Sequence, residues 1–396
     1  MPSYDTSVPA LVLKVGHYPN HHGGLAVVRT LGRVGIKVYG VHEDGLAPAA
    51  LSRYTTGRVI WPTGAGFQDQ LLAGLGALAR RIGRPAVLIP IDDHAAMFIA
   101  DQAAALRTWF LFPDLSASLL RKVNDKAELA GLGVDVPEQT QVTSADQLAE
   151  FVATARLPVV AKSAPILLPD GRRTRGTRLI RSREELSRLT VPVLLQEYLA
   201  DGTDWLFHGY CDTRSECLLA FTGRKLRAYP PRAGETALGR AESQPELEKQ
   251  ARDLLRRIGY QGPVSMDYRL DARDGRFRLL DLNPRLGAIF RLFTTTNGLD
   301  VVRAMHLDLT GRPVCAGSVV DQRVVVVESN DVRTAWALLR NGELTPRELW
   351  TSWRTASETS WFARDDLLPP LAGLVRALAP ARAPRPALPR YAPGRG

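Results

Sequence analysis

Short apolar runs and longer helical patterns follow one another in the first third of the chain. Residues 11–41 contain an apolar run, a helix-like segment and a second apolar run, which predicts a strand, a helix and a strand. A further apolar run at residues 85–91 predicts a parallel strand that leads directly to Asp92 and Asp93. Open α/β sheets bind ligands at the carboxyl ends of their strands, so these two acids lie where a ligand is expected.

A polar loop follows the first predicted strand and contains His17, His21, His22, Gly23 and Gly24. No regular helix or strand spacing unites the three histidines, which argues against a metal site. The two glycines could offer backbone N–H groups to an anion. The loop is therefore either a polar substrate loop or a simple solvated connection.

Residues 264–285 predict two short apolar strands joined by a turn at residues 274–275. If that turn centres an antiparallel hairpin, Asp267 lies opposite Asp281, and Asn283 lies one pleat further on. Two carboxylates would then share one face of the hairpin.

Like charges directly across a strand pair repel each other, but a bound cation would reverse this effect. Two carboxylates and an amide oxygen are a hard ligand set, and Mg2+ commonly combines one or two carboxylates with phosphate oxygens and water. The implied ligand is a magnesium nucleotide. The alternative is an exposed hairpin whose acids are solvated or paired with Arg269 and Arg278.

This hairpin resembles the metal-binding hairpin of the ATP-grasp superfamily, and two lysines fit the same family. Residues 119–137 resemble the helix, glycine stop and strand that open an ATP-grasp domain, and Lys126 matches its phosphate-binding lysine. Residues 157–165 predict a buried strand ending in Lys162, where an ammonium is unfavourable unless an anion is near. In the family the lysine that matches Lys162 holds the α- and β-phosphates.

The segment after Lys162 resembles the lid that closes over the triphosphate, although it is rich in arginine rather than in glycine and serine. Arg172, Arg173, Arg175 and Arg178 could neutralise phosphate, or they could belong to a solvated loop.

Residues 194–204 resemble the hinge strand that contacts adenine and, through a following acid, the ribose. The resemblance assigns nucleotide contacts to Gln196, Glu197, Tyr198, Leu199, Asp204 and Leu279.

The resemblance implies an ATP-dependent carboxylate-amine ligase that forms an amide or peptide bond through an acyl phosphate, on an amino acid or a small carboxylic acid. Its cofactors would be ATP and Mg2+, with Mn2+ as another possible metal. Asp267, Asp281 and Asn283 would bind the metal, while Arg285 and Lys162 would be catalytic. Two alternatives stay open: a kinase or carboxylase built on the same site, and a nucleotide-binding module without turnover.

The resemblance also implies an α/β fold class with a Rossmann-like preATP-grasp domain at residues 1–115. An α+β ATP-grasp domain at 116–310 would follow, divided into subdomains 116–192, with the lid, and 193–310, with the metal hairpin. The expected organisation ends with a C-terminal appendage at 311–378, packed by Trp350, Trp353 and Trp361. A disordered tail follows at 379–396.

Composition adds few constraints. The chain has 396 residues and a formal net charge of +10, but its tail contributes Arg382, Arg385, Arg390 and Arg395 without any acid. The remaining charge suits small anionic substrates as well as it suits RNA, so we expect small-molecule carboxylate and amine partners and no nucleic acid. No apolar run approaches the ~20 residues of a membrane span, which favours a cytoplasmic protein without membrane contact. A homodimer is a possible assembly.

The three cysteines and one basic segment complete the set of candidate residues. Cys211, Cys217 and Cys315 lack the spacing of a disulfide framework or a zinc site and are expected to be buried thiols. Lys225, Arg227 and Arg232 form a basic strand and turn resembling the ligase segment near the acceptor site; they either meet a carboxylate or phosphate or are solvated edge charges.

Overall fold

Three β-sheets organise the chain, with six, four and seven strands. The computed structural model describes residues 2–16, 18, 20–61, 68–162, 176–378 and 390–393, and the statements below concern those residues.

The N-terminal sheet has the strand order β17-β3-β2-β1-β4-β5, and β1 to β5 run parallel. Its elements are β1 Ala10–Leu13, α1 His22–Gly32, β2 Val38–His42, β3 Thr55–Ile60, α2 Gln68–Ile82, β4 Ala86–Pro90, α3 Asp93–Asp101, α4 Ala103–Leu106 and β5 Phe110–Leu111. The central strands β1 and β4 are buried along their whole length, as expected for a parallel sheet covered on both faces. The predicted strand-helix-strand start and the strand before Asp92 are confirmed.

Part of the C-terminal tail joins this sheet. Arg390–Pro393 form β17, which pairs antiparallel with the edge strand β3. The expected disorder of residues 379–396 therefore does not hold for these four residues, and the rest of the tail lies outside the described residues.

The four-stranded sheet has the order β6-β9-β7-β8. This unit comprises β6 Gln139–Val142, α6 Ala145–Thr154, β7 Val159–Lys162, β8 Thr177–Ile180, α7 Arg183–Ser187 and β9 Val193–Glu197. Helix α5 Ala117–Asn124 precedes it in the chain and packs in the core of the seven-stranded sheet. Strand β9 pairs with β6 and β7, so residues 193–197 belong to this four-stranded sheet. The lid arginines Arg172, Arg173 and Arg175 lie outside the described residues.

The seven-stranded sheet has the order β14-β13-β10-β11-β12-β15-β16. Its elements, with the helices that flank them, are β10 Thr203–Cys211, β11 Cys217–Tyr229, β12 Glu235–Ala241, α8 Pro245–Arg257, β13 Gly262–Leu270, β14 Phe277–Asn283, α9 Val301–Leu309, β15 Val324–Val326, α10 Glu328–Arg340, α11 Pro346–Arg354, β16 Glu358–Thr359 and α12 Leu368–Leu378. Residues alternate between its faces: Phe207 and Tyr268 pack in the cluster that contains the α8 leucines, whereas Leu206 and Phe221 pack in the cluster that contains α9 and part of the N-terminal sheet.

A buried ion pair helps to attach the C-terminal segment to the seven-stranded sheet. Asp331 accepts hydrogen bonds from Arg227 Nε at 2.6 Å and from Trp353 Nε1 at 2.7 Å. Trp350 and Trp353 are 64% and 40% exposed, so the expectation that they pack this appendage is wrong for these two residues. Trp361, in contrast, lies edge-on to His22 of the N-terminal domain, with ring centres 6.0 Å apart. The appendage also extends the large sheet, because β15 pairs with β12.

Asp366 joins the C-terminal segment to the N-terminal domain, and its loss is expected to destabilise the protein. Its buried carboxylate accepts from Arg29 Nε at 2.9 Å and from Ser52 Oγ at 2.7 Å. Asp366→Asn leaves the buried Arg29 guanidinium without its counterion, which should lower the free energy of unfolding by about 3–5 kcal/mol. Asp365→Asn, at an exposed neighbour paired with Arg33, should cost only about 0–1 kcal/mol. Equal losses for the two variants in urea titrations would contradict this prediction.

Candidate active site

A β-bulge in β14 brings the two hairpin carboxylates together. Asp267 pairs with Asp281 in register, whereas the next pair is Tyr268 with Leu279, so Leu280 is an extra residue. If the Tyr268–Leu279 register continued without a bulge, Leu280 would lie opposite Asp267, and Asp281 would point to the other face of the sheet. The register agrees with the predicted facing of Asp267 and Asp281, although it depends on the bulge as well as on the turn.

Three lysines from separate elements converge on this face. Lys126, in the segment after α5, donates to Asp281 Oδ2 at 2.8 Å, and Lys225 on β11 donates to Asp267 Oδ1 at 2.6 Å. Lys162, at the end of β7, donates to the carbonyl oxygen of the bulged Leu280 at 2.7 Å. The cluster therefore contains three ammonium groups and two carboxylates, and this excess of cationic groups favours an anion at this face.

The electrostatic environment separates Lys162 from the other two lysines. Burial disfavours the charged form of Lys126, but Asp281 more than offsets this effect and raises the pKa of Lys126. In the same way Asp267 raises the pKa of Lys225 against the effect of burial, and Lys225 lowers the pKa of Asp267. Burial, together with repulsion from Lys126, lowers the pKa of Lys162 to about 7.

Lys225 is the one member of its basic segment that reaches the cluster. Arg227 pairs with the buried Asp331, and Arg232 pairs with Glu343 at 2.6 Å. The sequence left all three residues open between anion contacts and solvated edge charges. What distinguishes Lys225 is its position on β11, two strands away from Asp267, which sequence spacing alone does not reveal.

The predicted metal ligands fit a cation that arrives together with phosphate. Asp267 and Asp281 supply carboxylates on one face, and Asn283 Oδ1 accepts from Arg285 Nη2 at 3.1 Å. No group of three His, Cys, Asp or Glu side chains that could hold a metal occurs within the described part of the chain. Mg2+ alone would add positive charge to a cluster rich in ammonium groups, whereas Mg2+ carried by a triphosphate adds net negative charge.

Arg269 organises the predicted nucleotide hinge. Its Nε donates to the Leu199 carbonyl oxygen at 2.6 Å, and its Nη1 contacts Asp204 Oδ1 at 2.5 Å. Its guanidinium also lies 5.2 Å from the centre of the Tyr198 ring. The sequence considered Arg269 only as a possible partner of the hairpin acids, whereas the structure makes it the residue that fixes Tyr198, Leu199 and Asp204 together.

The side chains of three other residues predicted to contact the nucleotide contact other parts of the protein. The Gln196 side chain is buried and donates to Gln139 Oε1 at 3.1 Å, while Glu197 pairs with Arg273. Leu279 is fully buried and pairs with Tyr268 on the face opposite Asp267. The assignment of the Leu279 side chain to the nucleotide site is therefore corrected, because the bulge turns it into the core beneath α8.

The carboxyl edge of the N-terminal sheet meets the end of the hairpin at an ion pair. Arg285 Nε donates to Asp93 Oδ1 at 2.6 Å, and Arg285 Nη1 donates to the Leu286 carbonyl oxygen at 2.9 Å. Burial opposes the charge on Arg285, but Asp93 raises its pKa. Asp92 has a structural role, since it caps α3 and accepts backbone N–H groups from Val15 and Gly16. The two acids at the end of β4 therefore have different roles: Asp92 stabilises the fold, whereas Asp93 pairs with Arg285 at the site.

The histidine loop is a packing element rather than an anion loop. His21 caps α1 by accepting the Gly24 N–H at 2.9 Å, and burial lowers the pKa of His22 to about 4, which keeps its ring neutral. A Cβ at Gly23 would lie 2.8 Å from Ala288 Cα. Gly23 therefore allows close packing against Ala288, and the Gly24 N–H is bonded to His21. His17 lies outside the described residues.

Sequence reasoning missed a buried ion pair at the same sheet edge. Lys14 Nζ lies 2.7 Å from Glu43 Oε1 and also donates to the Tyr18 carbonyl oxygen at 2.7 Å. The sequence does contain a signal for this ion pair, because Lys14 is a single lysine directly after the apolar run of β1. The same pattern identified Lys162.

No described helix has the length and apolar character needed to span a membrane.

Solved structures with the same architecture are numerous, although no protein-family model and no curated sequence matches the chain. N5-carboxyaminoimidazole synthetase from Staphylococcus aureus, solved with ADP, superposes with a TM-score of 0.62 at 11% identity, over 86% of this chain and 88% of that chain. Carboxyaminoimidazole ribonucleotide synthase from Aspergillus clavatus, solved with ATP, gives 0.58 at 16% identity, over 84% and 87%. L-amino acid ligase from Bacillus licheniformis gives 0.55 at 17% identity, over 78% and 75%. At these identities the likeness concerns the fold, and the chain has the ATP-grasp fold that its motifs predicted.

Proposed function

We propose that the protein is an ATP-dependent carboxylate-amine ligase that forms an amide or peptide bond through an acyl phosphate, on an amino acid or a small carboxylic acid. The convergence of Lys126, Lys162 and Lys225 on the bulged, two-carboxylate hairpin is the observation that carries this proposal. Such a cluster suits a phosphate chain and its metal, and solved proteins with this fold hold ATP, ADP or MgADP.

Each group in the cluster has a distinct task in this proposal. The three lysines neutralise phosphate oxygens, for which they exchange their present contacts with Asp267, Asp281 and the Leu280 carbonyl oxygen. The released carboxylates, with Asn283, would hold Mg2+, which neutralises the charge on the transferred phosphoryl group when it is bound.

Arg285 is placed to receive the substrate carboxylate. Three of its nitrogen atoms are oriented by Asp93, Asn283 and the Leu286 carbonyl oxygen, so the guanidinium plane is fixed before substrate arrives. A guanidinium has five N–H donors, so donors remain for a carboxylate and then for the oxyanion that forms when an amine attacks.

A carboxylase acting on bicarbonate is the second candidate, because biotin carboxylases are among the solved structures with this fold. The test is a matrix of carboxylates and amines incubated with MgATP, with a bicarbonate arm, scored for phosphate release and for product mass. An amide product supports the ligase, bicarbonate-dependent ADP formation supports the carboxylase, and nucleotide binding without turnover under every condition contradicts both.

A cytoplasmic location and a homodimer are further proposals. The use of ATP fits the first, and size-exclusion chromatography with light scattering tests the second. Domain limits near residues 115, 197, 310 and 378 are also proposed, and limited proteolysis would test them.

Nucleotide affinity should depend on pH through Lys162. Its pKa of about 7 means that the free protein loses this charge above neutrality, while bound phosphate favours the charged form. Binding then requires proton uptake, so MgATP affinity should be constant below pH 7 and fall by up to about tenfold per pH unit above it. Lys126 and Lys225, whose pKa values are raised, stay charged over this range, as does Asp267, whose pKa is lowered.

Lys162→Arg is the matched control, because a guanidinium stays protonated and should remove most of the pH dependence. Calorimetry in buffers of different ionisation enthalpy would count the protons taken up, and an affinity that stays level to pH 9 would count against the assignment. The same shift affects folding: between pH 7 and the ordinary lysine value of 10.5 the unfolded chain binds more protons at Lys162, so unfolding becomes less favourable as pH rises.

A further inference from the structure

Cys211 and Cys217 face each other across the β10–β11 pair. They are partners in the strand register, and their Sγ atoms lie 2.7 Å apart as free thiols. Register partners in an antiparallel pair have Cα atoms about 4.5–5.5 Å apart, within the roughly 4.4–6.8 Å that a disulfide spans. The backbone is therefore already arranged for a covalent link between the two sulfur atoms.

The turn between the two cysteines is rigidly bonded. The Asp212 N–H donates to the Glu216 carbonyl oxygen at 3.0 Å, and the Asp212 side chain accepts the N–H groups of Arg214 and Glu216, each at 2.9 Å. These contacts hold both ends of the hairpin in register, which keeps Cys211 opposite Cys217.

The two thiols differ in access. Cys211 is 1% exposed, and its bond to Cys217 together with burial raises its pKa, which keeps it a thiol at neutral pH. Cys217 is only half-buried, and the positively charged Arg252 donates to its carbonyl oxygen. A reagent from solvent therefore reaches Cys217 first, and Cys211 is positioned to attack the sulfur of the resulting adduct.

We propose that Cys211 and Cys217 form a reversible oxidation site that reacts with small-molecule disulfides. The Cys217 thiolate attacks one sulfur of oxidised glutathione, forms a mixed disulfide and releases one glutathione thiolate. Cys211 then loses its proton to solvent and attacks Cys217 Sγ, which forms the protein disulfide and releases the second glutathione thiolate. The two cysteines lose two electrons in total, and glutathione gains them.

The link should stiffen the protein without altering the proposed nucleotide site. Cys211 packs in the core cluster of α8, with Phe207 and Trp205, on the face opposite Leu206 and the hairpin carboxylates. Closing a loop this short restricts the unfolded chain moderately, so the oxidised protein should unfold about 2–5 °C higher than the reduced protein.

The test uses the full chain carrying Cys315→Ser, because Cys315 is exposed and would form its own adduct. The protein is incubated with oxidised glutathione at neutral pH, unfolded in denaturant and alkylated with iodoacetamide so that buried thiols also react, and then measured by intact mass and peptide mapping. We expect loss of two hydrogen atoms, a cross-linked peptide pair containing Cys211 and Cys217, and return of both free thiols with dithiothreitol.

Single variants separate the two steps. Cys211→Ser should accumulate a stable glutathione adduct on Cys217, while Cys217→Ser should leave Cys211 unmodified. The proposal is overturned if the Cys315→Ser protein keeps a persistent adduct on Cys217, or if both thiols remain fully alkylated under conditions that modify Cys315 in the wild-type chain. Because these masses are measured on protein that retains both Cys211 and Cys217, they decide the question even if a serine variant at either position folds poorly.

Discussion

Replacing Asp281 by Asn is expected to lower substrate-dependent ADP formation by about a hundredfold or more, because the cluster loses one of its two carboxylates. Lys126 loses its partner at the same time, since its ammonium donates to Asp281 at 2.8 Å. Mg2+ should then no longer tighten nucleotide binding. In EDTA, by contrast, free ATP should bind the variant at least as tightly as the wild type, because one negative charge has been removed from beside the phosphates.

This opposite response to metal distinguishes a ligand from a residue that merely supports the fold. Asp274→Asn is the matched control: Asp274 lies in the turn of the same hairpin and pairs with Arg278 at the surface. It should leave both affinities and turnover nearly unchanged. If Asp281→Asn retained the full effect of Mg2+ on nucleotide affinity, as measured by calorimetry with and without EDTA, the carboxylate would not be a metal ligand.

The sequence was sufficient to find this hairpin because the chemistry is local. Asp267 and Asp281 sit on short apolar strands flanking one turn, and the lysines Lys126 and Lys162 each follow an element with a clear pattern. The bulge at Leu280 was not predictable in this way. A single extra residue leaves the apolar pattern of so short a strand almost unchanged, although it decides which side chains share a face.

Longer-range contacts explain the remaining errors. Arg269 reaches Leu199 and Asp204 from a different strand, and Lys225 reaches Asp267 across β10, so neither role follows from spacing along the chain. Gly23 is another case. A side chain at this position would collide with Ala288, which lies in the loop after the hairpin. Sequence patterns indicate which face of an element is buried, but they do not say which distant element covers it.

Arg285→Ala is expected to leave MgATP affinity within about twofold of the wild type while it lowers amide formation by about a thousandfold. The guanidinium contacts Asp93, Asn283 and the Leu286 carbonyl oxygen rather than the lysine cluster, so its removal should affect the acceptor more than the nucleotide. Arg285→Lys keeps the charge but loses the planar fork, and it should recover only a small part of the activity.

Two features make this result specific to the acceptor. Arg276→Ala, at an exposed guanidinium of the same hairpin paired with Asp135, should retain full activity, which controls for the loss of a surface charge. Asp93→Asn should weaken the orientation of Arg285 without removing its charge, and so should raise the KM for the carboxylate more than it lowers kcat. Because Asp93 belongs to the N-terminal domain and Arg285 to the hairpin, this split would show that the carboxylate binds where the two domains meet. Equal ligation rates in wild type and Arg285→Ala would instead mean that Arg285 does not bind the acceptor.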